Sequence, residues 1–139
     1  MIEKTYFVDT SFWTAKLSHN DNYHQKAERL GREIGKSKLV TSEAILTELL
    51  NAFSGKGTYY RKAAAKLVDS LKAHKLVVVR ENDTELFNAA LNKYNQYSDK
   101  QWGLTDCSSF VIMEQENITE ALTTDRDFEQ AGFIALMRA

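Results

Sequence analysis

The sequence predicts a three-layer α/β domain: a mostly parallel sheet with helices packed on both faces. Two observations predict it. Short apolar runs rich in valine, isoleucine, leucine and aromatic residues recur along the 139-residue chain, each short enough for a buried strand. Between them the apolar residues adopt helical spacing. Strands that alternate with helices pair in parallel and are covered on both faces. The length fits one domain over residues 1–139, with no internal repeat, low-complexity tract or linker.

The first strand is Tyr6-Phe7-Val8. A helix follows over Tyr23, Ala27, Leu30 and Ile34, with Asp21 or Asn22 placed to cap it. Lys38-Leu39-Val40 is the second strand, and Ala44, Ile45, Leu49 and Phe53 mark a helix that starts after Thr41-Ser42. Tyr60, Ala64, Leu67 and Leu71 mark the next helix, which carries basic residues on its other face. Leu76-Val77-Val78-Val79 is the third strand. Leu86, Ala90, Tyr94 and Tyr97 form a helix capped by Asn82 or Asp83. Cys107, Phe110, Val111 and Met113 belong to a helix that is apolar nearly all round and therefore central. Ala121-Leu122-Thr123 and Phe133-Ile134-Ala135-Leu136 complete the strands, with a short helix between them that ends near Gly132. The chain has no proline, so glycine and polar clusters make the breaks.

No apolar run approaches the ~18 residues of a membrane span, and M-I-E-K-T-Y-F-V lacks the features of a signal peptide. The single cysteine, Cys107, excludes an internal disulfide and fits a reducing cytosol. The expected location is the cytoplasm. Net charge is −1, but it is segregated: the stretch from Lys56 to Lys75 is net +5, which leaves −6 for the rest. His19, His24 and His74 are dispersed and do not suggest zinc.

In an open parallel sheet, ligands bind outside the carboxyl ends of the strands. Asp9 follows the first strand and Asp125 the fourth, while Asp106 opens the apolar helix in L-T-D-C-S-S-F. There the helix dipole and free N–H groups favour an ionised carboxylate. Glu48 and Glu43 border opposite edges of one apolar helical arc, and periodicity does not choose between them. Taken singly, each aspartate is also explained as a cap or as dipole complementation. Gathered together, they repel, by about 4 kcal/mol for two carboxylates ~4 Å apart at an effective dielectric near 20. Protonation or a cation resolves that repulsion. Oxygen-only ligands point to Mg²⁺ or Mn²⁺.

F-V-D-T-S-F-W, T-S-E-A-I-L-T-E-L-L-N, W-G-L-T-D-C-S-S-F and A-L-T-T-D-R-D-F occur in an order and spacing that resembles a PIN domain. The resemblance spans essentially the whole chain and is nearest to the small prokaryotic PIN proteins that include VapC-type toxins. It implies a five-stranded sheet in the order 3-2-1-4-5 and an acidic quartet of Asp9, Glu48, Asp106 and Asp125. It favours Glu48 over Glu43, and Asp125 over Asp127, which then serves as a capping residue in the short helix. Ser11 or Thr124 resembles the hydroxyl residue that supports such a site. The implied activity is a Mg²⁺- or Mn²⁺-dependent endoribonuclease with one or two ions, leaving a 5′ phosphate and a 3′ hydroxyl. Asp9 and Asp106 are the principal ligands, with Glu48 and Asp125 completing the shell.

The implied partners are an RNA substrate, a cognate antitoxin and a second copy in a homodimer. Arg61, Lys62 and Lys66, with Tyr59 and Tyr60 at the start of their helix, are candidates to track and stack the RNA. Two other readings keep the same fold: an RNA-processing nuclease without an antitoxin, and a scaffold that binds without cutting. A phosphatase of the haloacid-dehalogenase type is disfavoured, because Ser11 stands where its second acid belongs. A receiver domain is disfavoured by the absence of a lysine in F-I-A-L-M-R-A.

Overall fold

A computed structural model describes residues 4–139; residues 1–3, which the single-domain reading included, lie outside the described residues. Five parallel strands form one sheet in the order β3-β2-β1-β4-β5. They are β1 (Thr5–Val8), β2 (Lys38–Ser42), β3 (Val77–Arg80), β4 (Glu120–Leu122) and β5 (Ile134–Ala135). The seven helices among the described residues are α1 (Thr10–Leu17), α2 (His24–Ile34), α3 (Glu43–Phe53), α4 (Thr58–Ala73), α5 (Thr84–Gln96), α6 (Leu104–Gln115) and α7 (Asp127–Gln130). The sheet order is the one that the resemblance implies.

Connection handedness distributes the helices. The chain steps from β1 to β2 to β3 in one direction and then returns past β1 to β4. Right-handed crossovers therefore put α1–α4 on one face and α5–α6 on the other. Packing agrees: α1 meets α2, α3 and α4, while α6 meets α5 and α7. The reversal of direction between β1 and β4 opens a crevice at their carboxyl ends. Phe7 of β1 pairs with Val40 on one side and Ala121 on the other, and all three are fully buried.

Sequence-based expectation and structure differ in identifiable places. Helix α1 carries no recognisable apolar stripe, because its polar residues Thr10, Ser11 and Thr14 face the crevice instead of bulk water. Phe12, Trp13 and Ala15 are buried on its other side. The last strand is shorter than expected, since Leu136–Arg138 turn into a 3-10 helix. Neither Asp21 nor Asn22 caps α2; the Asp21 carboxylate instead accepts the Tyr23 N–H at 2.8 Å, one turn earlier. Asp83, not Asn82, caps α5, accepting the Leu86 N–H at 2.8 Å. Ser42 caps α3 through the Ile45 N–H at 3.1 Å. Gly132, at φ +96°, ends α7 in the left-handed region that favours glycine.

Helix α6 is central, as its composition predicts: every residue from Cys107 to Met113 is buried. Phe110 meets Trp102 and Phe128 edge-on, each at a centroid distance of 5.0 Å. Phe128 in turn lies 6.3 Å from Phe7. This aromatic chain ties α6 and α7 to the underside of β1, so three of the segments that carry or adjoin acidic residues share one rigid support. Trp13 and Trp102 both fill the core and do not line the crevice.

Candidate active site

Four of the acidic residues singled out from sequence line one open cavity of about 570 Å³: Asp9, Glu48, Asp106 and Asp125. Each comes from a different segment. Asp9 leaves the end of β1, Glu48 lies in the middle of α3, Asp106 sits in the first turn of α6, and Asp125 follows β4. Glu43 is elsewhere: its carboxylate accepts the Asn82 N–H at 2.8 Å and belongs to the α3–β3 side.

Asp9 is buried, at 7% exposure, and its surroundings are neutral donors. The Thr123 hydroxyl donates to its Oδ2 at 2.7 Å. Ser11 Oγ stands 3.4 Å from the same oxygen and 3.3 Å from Thr123 Oγ1. A hydroxyl has one proton, so with that of Thr123 given to Asp9, Ser11 supplies the other bond. Thr123 Oγ1 also accepts the Asp125 N–H, and Ser11 Oγ accepts the Thr124 N–H, both at 3.0 Å. Thr123 thus joins Asp9 to the backbone of Asp125. Sequence reasoning pointed to Ser11 and Thr124 and missed Thr123; the only available signal was a β-branched hydroxyl ending an apolar run. The contribution of Thr124 is its backbone N–H, with its side chain at the cavity wall.

Asp106 accepts the Gly103 N–H at 3.1 Å, so the carboxylate closes the start of its own helix. Thr10 Oγ1 donates to Glu48 Oε1 at 2.7 Å. That bond ties an exposed glutamate to the residue after Asp9. Asp125 and Asp127 exchange the roles expected of them in one respect. Asp127 does lie in the first turn of α7, whose N-cap position, Arg126, makes no side-chain cap bond; it is Asp125 that accepts the first N–H of that helix, from Asp127, on Oδ1 at 2.8 Å. The Asp127 carboxylate is left facing Asp106 and Asp125, and one oxygen from each of the three lies within 4.8 Å of the others. The structure therefore shows two overlapping acidic sets, a tight trio and the cavity quartet, with Asp106 and Asp125 common to both.

The electrostatics follow from burial and proximity. Burial pushes the Asp9 carboxyl up to about 6, with Glu48 and Asp125 adding repulsion and the Thr123 hydroxyl opposing it. Burial likewise pushes Asp106 up to about 7; the Gly103 N–H opposes this, and the charges of Asp125, Asp9 and Asp127 reinforce it. Asp127 is raised too, by partial burial and by Asp125. No lysine, arginine, histidine or cysteine lines the cavity. A donor set made only of carboxylate and hydroxyl oxygens fits a hard divalent cation and not zinc. Arg61, Lys62 and Lys66 are exposed on α4 and none of them lines this cavity. Tyr60 packs against Phe53 with centroids 5.5 Å apart, whereas Tyr59 is 74% exposed.

Comparison with known proteins adds an independent line. The PIN domain profile matches residues 6–134. Two curated relatives, from the CDC 1551 / Oshkosh and ATCC 25618 / H37Rv strains of Mycobacterium tuberculosis, are each described as "23S rRNA-specific endonuclease VapC20". Each is 30% identical over 131 residues, covering 92% of this chain and 95% of the relative. The crystal structure of Mycobacterium tuberculosis VapC20, described as a Sarcin-Ricin loop cleaving toxin, superposes with a TM-score of 0.83 at 28% identity. That match covers 93% of this chain and 96% of the other.

Two outcomes are expected from this geometry. Folded metal-free protein holds protons on Asp9 and Asp106 at pH values where the unfolded chain, titrating near ~4, has released them. Its stability therefore falls as pH rises from about 4 towards about 7. In EDTA, Asp106→Asn should melt above the wild type at pH 8, by a margin that shrinks as the pH falls to 4; identical melting across that range contradicts the repulsion described here. Thr123→Val removes the donor to Asp9 and the acceptor of the Asp125 N–H, and should cost about 1–3 kcal/mol in urea unfolding. Thr123→Ser, which keeps the hydroxyl, should recover most of it.

Proposed function

Because the chain belongs to the PIN domain family, we propose that it is a metal-dependent endoribonuclease and the toxin of a type II toxin–antitoxin pair. One observation carries this reading: carboxylates from four separate segments converge at the carboxyl ends of β1 and β4, without a single basic side chain to neutralise them. The 23S rRNA-specific activity named for its relatives makes ribosomal RNA the first substrate class to test.

The proposed ion is Mg²⁺ or Mn²⁺, held by Asp9, Asp106 and Asp125, with Asp127 and, through water, Glu48 completing the shell. When bound, it supplies Lewis-acid polarisation of the phosphate and a water of lowered pKa. The residues of the chain hold that arrangement in place. Thr123 fixes the Asp9 carboxylate directly and Ser11 supports it through Thr123, which limits the reorganisation needed at the moment of reaction. Glu48 is held through one oxygen by Thr10, leaving the other free to take a proton from an attacking water. The water oxygen joins phosphorus as Glu48 takes its proton, the P–O3′ bond breaks, and the departing 3′ oxygen takes a proton from solvent, giving a 5′ phosphate and a 3′ hydroxyl.

The exposed basic residues Arg61, Lys62 and Lys66 on α4 are proposed to contact the phosphate backbone of RNA beyond the cavity. Leu50 and Tyr59, exposed at 37% and 74%, support pairing of two copies through the α3–α4 region. A cognate antitoxin is proposed to place a basic side chain in the acidic crevice. No helix among the described residues is long and apolar enough to cross a membrane, and a cytoplasmic site of action is part of this reading.

Incubation of the purified protein with ribosomal RNA and Mn²⁺, followed by primer extension, tests the proposal. Discrete cuts with 5′-phosphate ends are expected, abolished by EDTA and reduced at least ~100-fold in Asp9→Asn and Asp106→Asn. Cutting that persists in EDTA or in these variants would overturn the assignment. Growth arrest on expression without an antitoxin is expected for a toxin; harmless expression of an active enzyme would remove that part of the reading alone.

A further inference from the structure

The acidic cavity has a second wall that the carboxylates do not explain. Thr14 of α1, together with Asp21 and Tyr23 from the loop between α1 and α2, lines it. Among the described residues, Tyr23 is the only aromatic in that lining. The residue is 40% exposed, its ring takes no part in the aromatic pairs of the described residues, and its hydroxyl has no hydrogen bond among them.

The backbone beneath that ring is firmly held. The Tyr23 N–H donates to Asp21 Oδ1 at 2.8 Å, and its carbonyl accepts the Ala27 N–H at 2.8 Å. Asp21 is itself anchored, its N–H donating to the Ser18 carbonyl at 3.1 Å and its carbonyl accepting the His24 N–H at 3.0 Å. An exposed aromatic on a fixed backbone, engaged in no aromatic pair, presents ring surface to a ligand at little ordering cost. The charge beside it selects which part of a nucleotide fits. Asp21 repels phosphate and lies apart from the residues proposed to hold the cation, so this wall suits a base and its sugar while the phosphate lies towards that cation.

We propose that Tyr23 stacks on the base of a nucleotide adjacent to the cleaved bond and so sets the position of the RNA in the cavity. This rests on the nuclease reading above and adds a residue outside the acidic set. With no lysine or arginine in the cavity lining, stacking is the means by which this wall can grip RNA. Base–aromatic stacking accounts for roughly 5- to 150-fold in affinity per base.

Tyr23→Ala and Tyr23→Phe, compared with the wild type, test the proposal on ribosomal RNA with Mn²⁺, with Mn²⁺ affinity measured separately by calorimetry. Expected are a loss of roughly 10- to 100-fold in kcat/KM for Tyr23→Ala, activity within about threefold of wild type for Tyr23→Phe, and unchanged Mn²⁺ affinity in both. A wild-type rate in Tyr23→Ala overturns the stacking role and leaves the nuclease reading intact. Equal losses in both variants overturn it as well, since they assign the effect to the hydroxyl or to loop structure. A wild type that binds Mn²⁺ but cuts neither ribosomal RNA nor total cellular RNA overturns the nuclease reading and the stacking role with it.

Discussion

Repulsion between like-charged carboxylates, gathered where β1 and β4 end, is the constraint on which the rest of the site depends. Two such groups ~4 Å apart oppose each other by about 4 kcal/mol at an effective dielectric near 20, and the trio of Asp106, Asp125 and Asp127 lies within 4.8 Å. Among the described residues no arginine or lysine forms a salt bridge to these aspartates, and the charge of Arg126 offsets only part of the repulsion at Asp127. Arg126 stands between two of the aspartates in sequence, yet it is exposed and makes no salt bridge among the described residues. Protonation of Asp9 and Asp106, whose carboxyls are pushed up to about 6 and about 7, is the relief available without a cation. A divalent ion provides the other and returns both carboxylates to their charged form.

What holds the charges in position is neutral. Thr123, Ser11, Thr10 and the Gly103 N–H each donate one hydrogen bond to an acidic side chain or its immediate support. Neutral donors orient a carboxylate without cancelling its charge, so the field at the crevice remains negative and the ligand lone pairs keep their direction. The aromatic chain from Phe7 through Phe128 and Phe110 to Trp102 lies beneath. It ties β1, α6 and α7 together, so separation of the charges requires disruption of the core. The sheet order serves the same end: only the reversal between β1 and β4 brings Asp9 and Asp125, 116 positions apart in sequence, to one crevice.

The strands and the long helices were legible because burial writes itself into apolar spacing. Asp9, Asp106 and Asp125 were legible because each follows an apolar run or opens an apolar helix. Three things were hidden, each for a physical reason. Helix α1 has a polar face that points into the crevice, so its pattern lacks the solvent-facing signature of an amphipathic helix. Thr123 reads as one more strand residue, since its role lies in hydrogen bonds across 114 positions to Asp9. The division of labour between Asp125 and Asp127 depends on which carboxylate accepts the first N–H of α7, a rotamer choice that two aspartates separated by one residue do not encode. Glu48 stood level with Glu43 on periodicity, and only the family resemblance separated them before the cavity did.

The central claim is that these carboxylates form one cation site, and Mn²⁺ binding measured by calorimetry tests it most directly, because it does not depend on finding the right RNA. Wild type and Asp106→Asn are titrated in parallel, with circular dichroism confirming that both are folded. The account predicts binding by the wild type and its loss in Asp106→Asn. A folded wild type that fails to bind Mn²⁺, even with RNA present, would contradict it and leave a PIN scaffold that holds its partners without cutting them.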